Sequence, residues 1–433
     1  MKKIHVTTLG CSKNIVDSEK LMGQLEIHQF DMCEQPAEAD VIIVNTCGFI
    51  TDAKEESIQA IWEALRLKED DPAKKVFVAG CLSQRYRAEI EKEMPEVDAV
   101  FGTEDYQSIL KELGQNHAAV DNLLRMRRFT TPRHYAYLKI SEGCNHTCAF
   151  CAIPGIRGKH RSRSIESLVE EAQRLSQGGA REIILVSQDS SYYGKDLYGK
   201  QMIVDLLNRL NDIETIDWLR VMYWYPTNFP QEVLSLMAGD HKLLPYIDMP
   251  IQHISERVLR LMRRGDTRTS IRRLMDKMRT VVPQATLRST LILGHPGEKD
   301  EDFKELLQFV EEARFDRLGT FTYSDEEGTS AYSNKDKVDQ HVAGKRQEHI
   351  MSVQREISLE SNRKWIDSGI RVMIDEYDHY NNMLIGRTYR DAPEIDNIVY
   401  VKTANGRAPD PGSIVDVYIE DASEYELYGF LIG

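Results

Sequence analysis

Along residues 1–114 the chain repeats one pattern: a short β-branched or apolar run, a turn, then a polar segment with apolar positions at helical spacing. The runs Ile4–Leu9, Val41–Val44, Val76–Ala79 and Ala99–Phe101 predict strands, and Ile15–His28, Asp52–Lys68 and Gln84–Glu93 predict the helices between them. Strands that alternate with helices build a parallel sheet, because each crossover must return the chain to the same edge. Three strands run straight into a cysteine: Leu9-Gly-Cys11, Val44-Asn-Thr-Cys47 and Ala79-Gly-Cys81. The carboxyl edge of an open α/β sheet is where side chains from separate strands meet a ligand, so three distant thiols can share one site.

Residues 115–132, polar and then basic, read as a linker ending at Thr130-Thr-Pro132. Six further strands are predicted at Tyr135–Ile140, Glu182–Val186, Trp218–Tyr223, Tyr246–Met249, Leu287–Leu293 and Leu318–Tyr323, with helical segments between most of them. Six βα units suggest a partial barrel, since a closed one has eight. A helical stretch over Gln340–Trp365 then leads to short runs at Arg371–Ile374, Met383–Gly386, Ile398–Lys402 and Ile414–Ile419, separated by Asn, Pro and Gly turns. Those runs predict a small antiparallel β-barrel. The predicted class is α/β: an N-terminal Rossmann-like parallel domain, a central partial (β/α)6 barrel and a C-terminal antiparallel barrel.

The length of 433 residues suits two to four domains, at roughly 100–200 residues each. A formal net charge of −14 argues against a surface that is basic throughout, as a general nucleic-acid glove would be. Half of it falls in the last 64 residues, where twelve acidic side chains face five basic ones for a net −7. No apolar run reaches the ~18 residues of a membrane span, and the start becomes polar too early for a signal peptide, so a cytoplasmic protein is expected.

Seven cysteines in a reducing compartment favour metal or redox chemistry over disulfides. The segment Glu142-Gly-Cys144-Asn-His-Thr-Cys148-Ala-Phe-Cys151 follows the first barrel strand. Spacings of three and two residues let one loop wrap three thiolates round an iron–sulfur cube while the fourth iron keeps no protein ligand. A structural zinc would ask for four ligands, and His146 is the candidate fourth on that alternative. Cys11, Cys47 and Cys81 are again three, and a second cube there would also have an open iron; Cys33 reads as a spare thiol. The run Arg157-Gly-Lys-His-Arg161-Ser-Arg163 reads either as an anion or carboxylate holder or as surface charge. Arg257, Arg260, Arg263, Arg264, Arg268, Arg272 and Arg273 read as a solvated helical face, with RNA contact the other possibility. Gln188 and Gln252 follow the second and fourth barrel strands, and Gly294-His-Pro-Gly-Glu298 closes the fifth.

The Cys144–Cys148–Cys151 loop resembles the radical SAM superfamily. That resemblance implies S-adenosylmethionine on the open iron and an adenine contact at Phe150, with Gln188, Gln252 and Gly294 in positions where further contacts to that cofactor are expected; barrel-mouth packing for Phe150, satisfied rim amides for the two glutamines and a simple βα turn at Gly294 are the other readings. Leu9-Gly-Cys11-Ser-Lys-Asn14, Asp17-Ser-Glu19, Asn45-Thr-Cys47-Gly-Phe-Ile50 and Ala79-Gly-Cys81, together with that loop and the TRAM-like terminal barrel, resemble the methylthiotransferases over nearly the whole chain. The resemblance implies a methylthiotransferase N-terminal domain over 1–118, a radical SAM core over 130–362 and a TRAM domain over 364–433. It also implies two 4Fe-4S clusters, an auxiliary one on Cys11, Cys47 and Cys81 and a radical SAM one on Cys144, Cys148 and Cys151. No catalytic residue beyond these ligands is assigned.

One branch of that family modifies adenosine in tRNA; the other modifies the β-carbon of an aspartate in the small-subunit ribosomal protein numbered twelve. Lys13-Asn14, Gly48-Phe49-Ile50, Phe321-Thr-Tyr-Ser-Asp-Glu-Glu-Gly328 and Arg387-Thr-Tyr-Arg-Asp-Ala-Pro-Glu-Ile-Asp396 look like the ribosomal-protein branch, while His295 stands where an aromatic is expected. A terminal barrel at −7 would repel phosphate and attract a basic protein, so tRNA is not the expected substrate. The implied partners are a basic ribosomal protein, free or on the ribosome, an external electron donor and a sulfur source; a monomer with no membrane association is expected. The class outside catalysis that the sequence leaves open is an iron–sulfur RNA-binding protein.

Overall fold

A computed structural model describes residues 2–115, 127–403 and 408–432. The chain divides into two compact units, neither continuous in sequence. The predicted 115–132 linker falls mostly on residues outside the described ones, as do residues 404–407, which hold the predicted Asn405-Gly turn.

The first unit takes in Met1–Thr131, Glu142–Arg161 and Ser324–Tyr332. Its centre is a parallel sheet of β1 (Lys3–Thr8), β2 (Asp31–Met32), β3 (Val41–Thr46), β4 (Lys75–Gly80) and β5 (Ala99–Val100), in the order β2-β1-β3-β4-β5. Every residue of β3 is buried, as a strand covered on both faces must be. Val41 and Ile43 join the core with Ile4, Leu25 and Phe77, while Ile42 and Val44 pack on the other face with Ile61, Val76 and Val78. Helices α1 (Ser12–Ile27) and α2 (Thr51–Asp70) follow β1 and β3. The single helix predicted over Gln84–Glu93 is two: α3 (Cys81–Arg85) and α4 (Arg87–Glu93), broken at Tyr86, whose φ of −127° and ψ of 36° leave the helical region. The short edge strand β2, unpredicted because two residues carry no periodicity, accounts for Cys33, whose N–H donates to the Ile4 carbonyl at 3.0 Å.

The second unit takes in Pro132–Ser141, Ser162–Tyr323 and Ser333–Gly433. All six predicted barrel strands are present: β6 (Tyr135–Lys139), β7 (Glu182–Val186), β8 (Trp218–Val221), β9 (Tyr246–Asp248), β10 (Thr286–Leu293) and β11 (Arg317–Thr322). They form two parallel three-stranded sheets, β6-β7-β8 and β9-β10-β11, joined by a bridge between Leu219 and Leu243.

The terminal barrel has five strands, one more than predicted: β12 (Gly369–Asp378), β13 (Met383–Thr388), β14 (Ile398–Lys402), β15 (Ile414–Ala422) and β16 (Glu426–Leu431). It closes in the order β12-β13-β14-β16-β15 around Val372, Ile374, Leu384, Val399, Val401, Val417 and Ile419. The expectation of an all-antiparallel barrel needs one correction, because β14 and β16 run parallel. The alternation of β16 is interrupted by Gly429, which hid it in the sequence.

The Arg387–Asp396 segment caps the amino ends of all six barrel strands. Tyr135 Oη donates to Glu394 at 2.9 Å, Arg387 Nη1 to Glu182 at 2.7 Å, Arg220 to the Tyr389 carbonyl at 3.0 Å and Tyr246 Oη to Asp396 at 2.6 Å. Arg288 also meets Asp396, and Arg317 pairs with Asp391. This is the face of a βα barrel that serves stability, opposite the edge that carries chemistry. The segment that looked characteristic of one branch is thus a structural plug.

Candidate metal centre

The parallel register sets Thr8 of β1 against Asn45 of β3, and Thr46 of β3 against Gly80 of β4, so the three strands end side by side. Cys11, Cys47 and Cys81 lie just past those ends, as expected from sequence, and all three are free thiols. The order β2-β1-β3 also makes the gap between β1 and β3 the topological switch point of the sheet, where α/β folds bind ligands.

Polar residues of the motifs tie the strand ends together. Asn14 Nδ2 donates to the carbonyls of Leu9 (2.8 Å) and Thr46 (3.1 Å), Asn45 Nδ2 to the Ser18 hydroxyl (2.8 Å), and Thr46 Oγ1 to the Ala79 carbonyl (2.6 Å). Ser57 binds both the N–H and the carbonyl of Cys47. Gly10, at φ +88°, is the close approach that lets Cys47 in: a Cβ there would lie 2.9 Å from the Cys47 sulfur. Such a cradle fits a bulky group held by sulfur from three sides.

The thiols differ in electrostatics. Burial would raise Cys11, but Lys13 and Arg157 outweigh it and hold it below the ordinary thiol value. Burial pushes Cys47 up and Cys81 up to about 12, and charge on Cys11 adds to both. Cys11 thus acts on both other thiols, and Cys47 acts on Cys81. Metal binding would displace the proton of Cys81, since the thiolate is the ligand.

The second cysteine set lies in the same compact unit. Gly143, at φ +75°, packs where a Cβ would clash with the Gly158 and Lys159 carbonyls, and this pins the start of the loop against its end. The Cys144 N–H donates to the Gly158 carbonyl at 3.0 Å, the His146 N–H to the Cys144 sulfur at 3.4 Å and the Cys151 N–H to the Cys148 carbonyl at 3.1 Å. Phe150 is half-buried in this loop.

Arg157 ends α5 (Ile153–Arg157) and is not surface charge: it holds carboxylates of the chain itself. It is 5% exposed and donates to Glu142 at 2.9 and 3.0 Å, Asp17 at 3.1 Å, Asn14 at 2.6 Å and the Cys81 sulfur at 3.3 Å. Burial works against its charge, but Asp17, Cys81 and Glu142 outweigh that and keep it a cation. Carboxylate oxygens of Asp17, Glu104 and Glu142 lie within 4.8 Å of one another, and Arg157 already supplies a cation to two of them. The other members of the run go elsewhere: Arg161 pairs with Glu104 at the surface and Arg163 with Glu171. Glu326, inside the Phe321–Gly328 run, is also buried, and it takes Lys54 of α2 at 3.0 Å and Arg85 of α3 at 2.6 Å.

The remaining candidates sit at the carboxyl ends of the barrel strands in the second unit. Gln188 is two residues past β7. Gln252, at φ +68°, bridges to Leu291 of β10, and its buried side-chain oxygen has no hydrogen-bond partner among the described residues. Gly294 follows β10, and its N–H is held at 2.7 Å by Glu298, which also accepts Arg346 at 2.7 Å. His295, standing where an aromatic is expected, meets Tyr323 edge-on, with ring centroids 5.5 Å apart. The 257–273 arginines do not form one helical face. They span two helices, Glu256–Leu261 and Arg268–Val281, and Arg264 is buried, 4.0 Å over the Tyr225 ring.

Family profiles match three stretches of the chain: the uncharacterized protein family UPF0004 over residues 3–102, the radical SAM superfamily over 138–310 and the TRAM domain over 368–432. The chain is 47% identical over 429 residues to the ribosomal protein uS12 methylthiotransferase RimO of Aquifex aeolicus, covering 99% of this chain and 96% of that one. It is 46% identical over 433 residues to the RimO of Cytophaga hutchinsonii, with 99% and 98% covered. Among solved structures, the radical S-adenosylmethionine methyltransferase TsrM of Kitasatospora setae shares the fold, with a TM-score of 0.54 over 74% of this chain and 73% of that one at 15% identity. With full-length identity at this level and all three domain types in order, the chain belongs to the RimO branch of the radical SAM methylthiotransferases.

Proposed function

We propose that this radical SAM methylthiotransferase puts a methylthio group on the β-carbon of an aspartate in the small-subunit ribosomal protein numbered twelve, using two 4Fe-4S clusters and S-adenosylmethionine. The observation that supports this best is the presence of two three-cysteine sets in one compact unit, Cys11, Cys47 and Cys81 with Cys144, Cys148 and Cys151. Bound there, the clusters and S-adenosylmethionine would supply the hydrogen-abstracting radical and the sulfur and methyl of the new C–SCH3 group. The chain's own part is to hold and shield. Its six cysteines give thiolates, Asn14 and Thr46 fix the strand ends that carry three of them, and Lys13 and Arg157 offset their negative charge. Phe150, Gln188, Gln252 and Gly294 are the residues this reading assigns to contacts with S-adenosylmethionine.

The substrate reading draws on the name carried by the relatives and on charge. Of the acids and bases in the terminal barrel, Asp375, Asp391, Asp396, Glu420, Arg387, Arg390 and Lys402 are taken into ion pairs, which leaves eight acids to one base, Arg371, among the described residues. That surface attracts a basic protein and repels a phosphate backbone. Domain limits of 1–118, 130–362 and 364–433, a monomeric state, a cytoplasmic location and external electron and sulfur donors complete the proposal. Among the described residues no helix is long and apolar enough to cross a membrane.

The test is to incubate reconstituted protein anaerobically with S-adenosylmethionine, reductant, a sulfur source and either a peptide from the target loop or tRNA. A gain of one methylthio group on the peptide aspartate is expected; an adduct on tRNA alone would move the protein to the other branch.

A further inference from the structure

Arg157 lies six residues beyond Cys151 in the chain, yet its guanidinium reaches the sulfur of Cys81, a residue of the other cysteine set. The fork is fully used. Nη1 serves both oxygens of Glu142 and one of Asp17, and Nη2 serves Asn14 and the Cys81 sulfur. Glu142 stands two residues before Cys144, so both flanks of the Cys144–Cys151 loop converge on the cation that touches Cys81. The side chain is almost completely buried, so this is no chance surface pairing.

A buried guanidinium bound to a cluster thiolate does two things. Its N–H groups withdraw charge from the sulfur, which stabilises the more negative reduced cluster, and its planar fork fixes the sulfur's position. We infer that Arg157 is a positioning residue for the auxiliary cluster: it orients the Cys81 ligand, raises the reduction potential of that cluster, and ties the Cys81 ligand to the loop that carries the other one. The inference rests on the proposed two-cluster reading.

Two measurements on the full chain test it. In wild-type protein made with guanidino-15N arginine, pulsed EPR of the reduced auxiliary cluster is expected to show a 15N coupling and an exchangeable proton coupling. In Arg157→Gln the auxiliary midpoint potential is expected to shift negative while that of the Cys144 cluster stays in place, with Arg157→Lys in between because it keeps the charge and loses the fork. Iron is counted first. Wild-type iron near four per chain, where two cubes require about eight, would remove the two-cluster reading and this inference with it. Iron near eight without 15N coupling, or with an unchanged auxiliary midpoint in a folded Arg157→Gln, would overturn the role of Arg157 alone. The isotope experiment needs no variant, so it decides even if Arg157→Gln does not fold.

Discussion

Arg387 donates through Nη1 to Oε2 of Glu182 across 2.7 Å, joining the terminal barrel to the first residue of the second barrel strand. Neither side chain meets water, and each has further partners: Arg220 on Glu182, Asp375 on Arg387. Removing one member of such a pair leaves a buried charge without its counterion, at a cost of about 3–5 kcal/mol. Glu182→Ala and Arg387→Ala should each lower the denaturation midpoint sharply, and the double variant should cost clearly less than their sum. Additive losses in a double-mutant cycle would contradict the coupling.

Stability should decline as pH falls below about 6.5. Burial lowers His253 to about 3 and His295 to about 4, so the unfolded chain takes up protons first as acid is added. The stabilisation is complete above the ordinary imidazole value and is lost as pH falls through the depressed ones, at about 1.4 kcal/mol per pH unit for each ring. Glu182 and Asp391, held low despite burial by their arginines, extend the loss below the carboxylate range, while Glu298 and Asp396, raised by burial, oppose it. Urea titrations between pH 8 and 5 measure the slope, and His295→Phe should remove about half of it above pH 5.

The two cysteine sets should separate functionally. Cys144→Ala should abolish S-adenosylmethionine cleavage, whereas Cys47→Ala should spare cleavage and lose sulfur transfer. Product analysis by mass spectrometry, with iron falling by about four per chain in each variant, checks both halves of the statement.

Gly10→Ala should act like a loss of the auxiliary site without touching a ligand. The residue must adopt φ +88°, and its new methyl would meet the Cys47 sulfur at 2.9 Å. Reconstituted iron should drop toward half while cleavage activity persists; full iron loading would show that the strand ends can part without penalty.

Charge on the terminal barrel should govern encounter with the substrate. Asp416 and Glu420 are exposed on β15. Replacing both by lysine should slow association with a basic target peptide at low salt and flatten the salt dependence, while leaving S-adenosylmethionine cleavage unchanged. Stopped-flow binding across ionic strengths reads this out.

Much of the architecture was legible because it rests on local patterns. The fully apolar Val41–Val44 could only be a strand covered on both faces, and the glycine-cysteine turns after β1 and β4 marked the carboxyl edge of the sheet. What stayed hidden were pairings across distance. Arg157 read as surface charge or an anion holder because its partners, Asp17, Glu142 and Cys81, lie up to 140 residues away. The Arg387–Asp396 run read as a branch signature, and its part as a plug stayed hidden because its partners are scattered over six strands. Glu326 gave no sign of its burial, since Lys54 and Arg85, the cations that make that burial tolerable, lie far off in the chain on two helices.

The sequence by itself determined the order of elements, the three domain types and the grouping of six cysteines into two sets, because periodicity and ligand spacing are written in neighbouring residues. Only the tertiary structure decided which strand closes the terminal barrel, that its closure includes a parallel pair, and that a buried arginine from one cysteine loop rests on a sulfur of the other set. Those features depend on desolvated charges finding partners far along the chain, and the stability of a buried charge is fixed by its surroundings, not by its neighbours in sequence.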